Sequence, residues 1–157
     1  MRKISSVLFV CTGNSCRSVM AEGLLKKRLQ EIGKTGITVR SAGVIAVDGY
    51  PPTNETVQVM KDEGVDQAAF RSTRLTDKMI KESDLILVME TGHKLEIIKR
   101  VPEAVSKTFL LMEYGKAGSA KRNGRLDVQD PIGYPIGEYK KCMTVIKQEI
   151  ERVAGLL

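Results

Sequence analysis

Short apolar runs alternate with longer segments of helical periodicity along this chain. Apolar runs of strand length occupy residues 7–10, 37–40, 85–89 and 107–111. Apolar residues recur at the spacing of an amphipathic helix at about 18–32, 53–63, 76–81, 91–100 and 137–157. This alternation predicts an α/β fold, with a four-stranded parallel sheet flanked by helices in a single doubly wound layer.

The size and composition of the chain fit one domain. With 157 residues, of which 42% are hydrophobic, we expect a single domain over residues 1–157. No apolar run approaches ~18 residues, and the segment before the first strand lacks the apolar region of a signal peptide. Three cysteines in such a chain favour reduced thiols. We therefore expect a cytoplasmic protein with no membrane partner, acting as a monomer.

The net charge of +6 favours anionic partners. Nucleic acid is the general alternative for any basic chain. Here the basic residues are interspersed with acidic ones, and aromatic residues make up only 4% of the chain, so no stacking platform for bases is evident. We expect acidic or phosphorylated proteins as partners and no nucleic acid.

The most informative segment runs from Cys11 to Ser18 and reads Cys-Thr-Gly-Asn-Ser-Cys-Arg-Ser. It follows the first strand and precedes the first helix, so its backbone N–H groups and the helix N-terminus surround one small volume that suits phosphate. Such a loop favours the thiolate form of a cysteine, which makes Cys11 a candidate nucleophile. Arg17 supplies a planar fork that grips two phosphoryl oxygens. The candidate phosphate-binding residues between and beside them are Thr12, Gly13, Asn14, Ser15, Cys16 and Ser18.

A cysteine six residues before an arginine is a weak signal by itself, because short motifs of this kind arise by chance. The context strengthens it. Gly13 and Asn14 stand where the backbone must curl, and a helical pattern follows Ser18. In open α/β sheets, ligands lie beyond the carboxyl ends of the strands, where this loop is predicted to lie.

The segment at residues 7–22, VLFVCTGNSCRSVMAE, resembles the signature of the low-molecular-weight protein tyrosine phosphatase family. It is more distantly similar to the thioredoxin-coupled arsenate reductases that share the fold. Further matches follow in the same order along the chain: Arg40-Ser-Ala-Gly at the second strand, residues 83–89 at the third, and Asp130-Pro131. The resemblance implies a cysteine-dependent protein phosphatase that forms a phosphocysteine intermediate and acts on phosphorylated proteins, including substrates of tyrosine kinases.

Asp130 is the candidate general acid and base. Departure of an alkoxide, phenoxide or amine from phosphorus needs a proton, and a positioned acid contributes about 10²–10⁴-fold. Asp-Pro is also a common turn opener, so the assignment depends on the resemblance, and Asp127 is the fallback. Arg17 and the loop N–H groups take the role of a metal ion, and no metal-site spacing occurs in the sequence, so we expect no metal and no cofactor.

The resemblance also suggests supporting roles. It implies that Ser18 donates a hydrogen bond to the Cys11 thiolate, although Ser18 also suits the N-cap of the following helix. Asn14 is expected in a left-handed conformation, with its side chain paired to Ser41. Cys16 is either the partner of Cys11 in a reversible disulfide or a small core residue, and the sequence leaves both open.

Three further features receive simpler interpretations. Cys142 stands beside the apolar stripe of the last helix and is predicted to be a buried structural thiol. His93, the only histidine, is predicted at a solvated surface position. The basic cluster at residues 121–125 is predicted to be a solvated loop, with attraction of substrate as the alternative.

The substrate is less well determined. Tyrosine-specific eukaryotic members of the family carry an aliphatic residue where this chain has Ser15, and aromatic residues where it has Ile132 and Gly133. At these positions the chain is more similar to the bacterial branch of the family, which includes protein arginine phosphatases. A hydroxyl at position 15 can hydrogen-bond a phosphoguanidinium, whereas Tyr50 and Tyr134 are candidate walls of a phosphotyrosine pocket.

Two other classes of function remain open at this stage. Arsenate reductases use a nearly identical loop but need further cysteines to carry the oxidation outwards, and this chain has none between Cys16 and Cys142. A non-catalytic phosphoprotein-binding module needs Arg17 and the loop, but not Cys11 together with Asp130.

Overall fold

A computed structural model describes residues 3–116 and 126–157, and the basic cluster at 121–125 lies outside these ranges. Four strands form one parallel sheet in the order β2-β1-β3-β4. The strands are β1 (Ser6–Cys11), β2 (Thr38–Gly43), β3 (Leu85–Val88) and β4 (Thr108–Leu110). Cys11 pairs with Gly43 at the carboxyl edge of the sheet.

Five α-helices connect and follow the strands. They are α1 (Arg17–Glu31), α2 (Asn54–Asp62), α3 (Asp77–Glu82), α4 (Thr91–Arg100) and α5 (Ile136–Leu156), with a 3₁₀ helix at Pro102–Lys107. Thr53 and Thr76 cap α2 and α3, since each side-chain oxygen accepts a hydrogen bond from a backbone N–H in the first turn. Within the described ranges, no helix has both the length and the apolar character needed to cross a membrane.

Alternation along β1 divides the core into two layers. Val7, Phe9 and Cys11 face the layer formed mainly by α1 and α5, whereas Leu8 and Val10 face the layer that contains residues of α3 and α4. The side-chain period of two in a strand explains this division, because successive residues point to opposite faces. The sheet is therefore covered on both faces. The central strands β1 and β3 are almost wholly apolar, as buried parallel strands require, whereas the edge strand β2 carries the exposed residues Thr38 and Arg40.

The predicted α/β fold is confirmed, and most boundaries agree within a few residues. Two details differ. The 3₁₀ helix at Pro102–Lys107 was not expected, because the pattern predicts no element between residues 100 and 107. Helix α1 begins at Arg17 with Cys16 at the N-cap position, so Ser18 is the second helical residue and not the N-cap. The Ser18 hydroxyl is consequently available to the loop.

Candidate active site

Cys11 ends β1 and has a buried sulfur surrounded by hydrogen-bond donors. The Asn14 backbone N–H donates to Cys11 Sγ over 3.3 Å, and Ser18 Oγ lies 2.9 Å from the same sulfur. Because Asn14 Nδ2 donates to Ser18 Oγ over 2.7 Å, the hydroxyl oxygen is already an acceptor and its hydrogen is free for the sulfur. Donors aimed at a sulfur stabilise its anionic form.

Asn14 holds the curl of the loop. Its φ of 54° makes it the one non-glycine residue with positive φ among the described residues, and asparagine tolerates this conformation better than most residues. Its buried side chain donates to Ser41 Oγ over 3.0 Å and accepts from the Thr73 backbone N–H over 2.8 Å. Ser41 donates in turn to Glu22 Oε1 over 2.8 Å. The loop is therefore fixed to α1, to β2 and to the segment before α3.

Arg17 is almost completely buried at the base of the loop. Its Nη1 donates to Glu90 Oε1 over 2.6 Å and to the Val128 carbonyl oxygen over 2.7 Å, and Nη2 lies 3.5 Å from Asp130 Oδ2. Burial by itself lowers the pKa of Arg17, but the negative charges of Cys11, Asp130 and Glu90 outweigh it and raise the pKa. A permanent cation therefore lies beside the sulfur.

Asp130 lies on an irregular segment that is held at the site by the backbone hydrogen bonds of Val128. The Val128 N–H donates to the Met89 carbonyl at the end of β3, and its carbonyl accepts from Arg17. Asp130 Oδ1 accepts from the Ile132 N–H over 3.1 Å, and its side chain is 35% exposed. The fallback acid, Asp127, accepts from the Thr91 N–H at the start of α4, at 2.9 Å.

A cavity of about 410 Å³ opens above the loop. Asp130 lines one side of it, and the loop contributes Cys11, Thr12, Gly13, Ser15, Cys16 and Arg17. The outer wall consists of Ile45, Ala46, Val47, Tyr50, Ser72 and Ile132. Ser15 also lines this cavity, and its Oγ lies 3.7 Å from Cys16 Sγ.

Tyr50 lines the cavity as a predicted wall, but Tyr134 does not. Tyr134 lines a separate cavity of about 210 Å³ beyond Asp130, together with Cys142 of α5. Ile132 takes the position in the Cys11 cavity that Tyr134 was expected to occupy. The turn after Asp130 explains the difference, because Gly133 has a φ of 82° and redirects the chain before Tyr134.

The other two cysteines are buried free thiols. Cys16 Sγ lies 3.7 Å from Tyr139 Oη and 3.6 Å from Thr53 Oγ1. Cys142 is buried on α5, as expected, and burial raises the pKa of its thiol to about 12. Cys142 is therefore a protonated core residue at neutral pH. Whether Cys11 and Cys16 form a disulfide stays a prediction.

The expected surface position of His93 is wrong. His93 is 4% exposed, its Nε2 lies 2.9 Å from Thr12 Oγ1, and its Nδ1 accepts from the Glu90 N–H over 3.1 Å. Burial, followed by the charge of Arg17, lowers the pKa of His93. The signal in the sequence was the spacing Glu90-x-x-His93 directly after a strand, which is a capping-box spacing that turns both side chains back towards the helix start.

Across residues 3–116 and 126–157, no three histidine, cysteine or carboxylate side chains are grouped as metal ligands. Arg17 is the cationic side chain among the residues that line the cavity, and the backbone N–H groups of the loop are neutral hydrogen-bond donors beside it. The chemistry that these residues can support is therefore nucleophilic attack on a bound phosphoryl group, with an adjacent carboxyl group for proton transfer.

Comparisons with known proteins agree with this geometry. A family model described as low molecular weight phosphotyrosine protein phosphatase matches residues 6–157. A protein-arginine-phosphatase of Geobacillus stearothermophilus is 37% identical over 151 residues, which cover 96% of this chain and 95% of the relative.

Two solved structures are similar over nearly their whole lengths. A low molecular weight protein tyrosine phosphatase from T. tengcongensis has a TM-score of 0.86 and 38% identity, covering 97% of this chain and 99% of the other. A cysteine-to-serine mutant of the YwlE arginine phosphatase, with a phosphorylated active site serine, has a TM-score of 0.87 and 32% identity, covering 97% and 95%. These relatives are phosphatases, and they give no support to the arsenate reductase alternative.

Proposed function

The chain belongs to the low molecular weight phosphotyrosine protein phosphatase family, and on that basis we propose that it hydrolyses phosphorylated protein side chains through a phosphocysteine intermediate. One observation carries the proposal: the Cys11 sulfur, the Arg17 guanidinium and the Asp130 carboxyl group line one cavity. Each is held there by contacts that do not involve a ligand. A site that is organised before the substrate arrives needs little rearrangement during the reaction.

The proposed reaction has two steps. Cys11 Sγ attacks phosphorus in line, an S–P bond forms, and the bond to the leaving oxygen or nitrogen breaks while Asp130 supplies its proton. Water then attacks the phosphocysteine, Asp130 takes a proton from the water, and the sulfur leaves as a thiolate stabilised by Ser18. Arg17 and the loop N–H groups neutralise the equatorial oxygens in both steps.

The substrate is proposed to be a phosphorylated protein, with phosphotyrosine as the first candidate. Tyr50 and Ile132 on the outer wall suit contact with an aromatic ring. Phosphoarginine is the second candidate, because Ser15 lines the cavity and a serine hydroxyl can accept a guanidinium hydrogen bond. The protein-arginine-phosphatase named above supports this alternative.

The three free thiols, of which one is the proposed nucleophile, support action in a reducing compartment, and we propose the cytoplasm. We also propose that the protein acts as a monomer, since Cys11, Arg17 and Asp130 all come from one chain.

The test is release of inorganic phosphate from a phosphotyrosine peptide and a phosphoarginine peptide, measured side by side. Cys11→Ser is expected to abolish release from both peptides. Cys142→Ala is the matched control, since this buried thiol lies outside the Cys11 cavity and its loss should leave release unchanged. Release that survives in Cys11→Ser, or no release of phosphate from either peptide by the wild type, would contradict the proposal.

Trapping the intermediate separates catalysis from simple binding. After mixing with substrate and rapid acid quench, a mass increase of one phosphoryl group on the peptide that contains Cys11 is expected. A protein that binds the phosphopeptides without this adduct and without phosphate release is a binding module.

A further inference from the structure

A closed ring of hydrogen bonds surrounds the base of the phosphate loop. His93 Nε2 contacts Thr12 Oγ1 at 2.9 Å, and Arg17 Nη2 donates to the same oxygen over 3.4 Å. Arg17 Nη1 is bound by Glu90, whose backbone N–H returns to His93 Nδ1. The ring connects the first residue after Cys11 with the start of α4, and the roles proposed above leave His93 without an assignment.

The contacts of His93 determine its tautomer. A backbone N–H can only donate, so the bond from Glu90 N–H requires a lone pair on Nδ1. The hydrogen of the neutral imidazole is therefore on Nε2, and Nε2 donates to Thr12 Oγ1. An imidazolium would place a second N–H against the Glu90 N–H inside the protein, where an unmatched donor is costly.

The same reasoning orients the Thr12 hydroxyl. Its oxygen accepts from His93 and from Arg17, which uses both of its lone pairs. The hydroxyl hydrogen must then point to another acceptor, and Thr12 lines the cavity above Cys11. The acceptor that the proposed reaction supplies there is a phosphoryl oxygen.

Resting on the proposed function, we propose that neutral His93 is a positioning residue that directs the Thr12 hydroxyl hydrogen towards the bound phosphoryl group. The imidazole does not touch the substrate. It acts through Thr12. The Glu90 carboxylate binds Arg17 and not His93, because Arg17 Nη1 lies 2.6 Å from Glu90 Oε1, whereas His93 Nε2 lies 4.0 Å from Glu90 Oε2.

The charges around His93 come from three parts of the chain. Arg17 of α1 opposes protonation, whereas Glu90 at the N-cap of α4, with Asp127 and Asp130 on the irregular segment, favours it. Burial adds to the effect of Arg17, and together they hold the imidazole neutral. We therefore expect phosphate binding to weaken on the acid side once His93 is charged.

The first experiment is NMR of the imidazole in the untagged, ¹⁵N-labelled protein. Because the chain has a single histidine, every side-chain imidazole signal belongs to His93. Neutral pH should show protonated Nε2 and unprotonated Nδ1, and saturation with inorganic phosphate should shift the Nε2–H signal. An Nδ1–H tautomer, an imidazolium at pH 7, or no response to phosphate would overturn the inference.

The second experiment uses substitutions in a double-mutant cycle. In His93→Gln, the amide oxygen can accept from the Glu90 N–H and the amide nitrogen can donate to Thr12 Oγ1, as the imidazole does. This variant should therefore stay within about twofold of wild-type kcat/KM. His93→Leu should lose about three- to tenfold in kcat/KM and in inhibition by phosphate, the size of one hydrogen bond. In a Thr12→Val background, His93→Leu should cause no further loss in kcat/KM, while its loss of thermal stability persists.

Equal kcat/KM for His93→Leu and wild type, or independent losses in the double variant, would contradict the positioning role. The outcomes separate the two proposals. If the wild type releases no phosphate from any substrate, the proposed function fails, but the NMR tautomer and the phosphate titration still test His93. If the wild type is an active phosphatase and the His93 measurements show no effect, only this inference fails.

Discussion

Asn14 offers the sharpest test of how the phosphate loop is held. Its side chain makes three hydrogen bonds, to Ser18, to Ser41 and from the Thr73 N–H, and none of the side chain is exposed. Its backbone has a φ of 54°. Asn14→Ala removes the three bonds and places an alanine where a Cβ disfavours the conformation.

The expected loss follows from these two contributions. Three buried hydrogen bonds at about 1 kcal/mol each give about 3 kcal/mol. The left-handed backbone adds about 1 kcal/mol for a residue with a Cβ and no local side-chain bond. The free energy of unfolding of Asn14→Ala should therefore fall by about 4 kcal/mol.

Asn14→Gly is the matched control, because glycine loses the same three bonds but accepts positive φ without strain. It should be more stable than Asn14→Ala by about 1 kcal/mol. Urea unfolding, followed by far-ultraviolet circular dichroism, measures both differences. A loss below about 1 kcal/mol in Asn14→Ala would refute the hydrogen-bond argument, and equal stability of the two variants would refute the backbone argument.

Three further predictions concern the acid, the strand edge and the core. Asp130→Asn should lower kcat by about 10²–10⁴-fold on phenyl phosphate and much less on p-nitrophenyl phosphate, whose leaving group needs little protonation, while Asp127→Asn should leave kcat unchanged. Gly43→Ala should disrupt the loop and lower both kcat/KM and the melting temperature, because its Cβ would lie 2.6 Å from the Thr12 carbonyl oxygen and 2.8 Å from the Asn14 nitrogen. The pKa of Cys142 is raised from 9.0 to about 12 in the fold, so its contribution to stability is complete below pH 9 and is lost as the pH rises towards 12. Cys142→Ala should show a smaller loss of stability over that alkaline range in pH-dependent urea unfolding.

The α/β fold could be predicted from the sequence because the four strands and five α-helices each carried a signal of their own. The apolar run at 85–89 and the helical period at 91–100 correspond to β3 and α4 almost to the residue. A buried parallel strand must be continuously apolar and a surface helix must be amphipathic, so pattern and structure have the same cause. The 3₁₀ helix at Pro102–Lys107 has no such period and was missed.

The candidate site was readable where one segment determines the geometry. Cys11, Asn14 and Arg17 belong to a single turn between a strand and a helix, and the structure brings them together as the motif predicts. Tyr134 was misplaced because Gly133, with a φ of 82°, redirects the chain before it. The capping-box spacing of Glu90 and His93 was overlooked, and the second partner of His93 lies far away in the chain. His93 meets Thr12 across 81 positions, and no local pattern reports such a contact.

Arg17 connects two parts of the site that could have been independent. The same guanidinium that would receive the phosphoryl group also anchors the Val128 carbonyl, two residues before the proposed proton donor Asp130. A substitution of Arg17 that changes anion affinity should therefore also shift Asp130. Variation is easier at the outer wall, where Ile45, Val47 and Tyr50 are each more than half exposed. We therefore expect Arg17 and Asp130 to change together or not at all among related proteins. The outer-wall residues can be replaced one at a time, so we expect the range of accepted substrates to differ there.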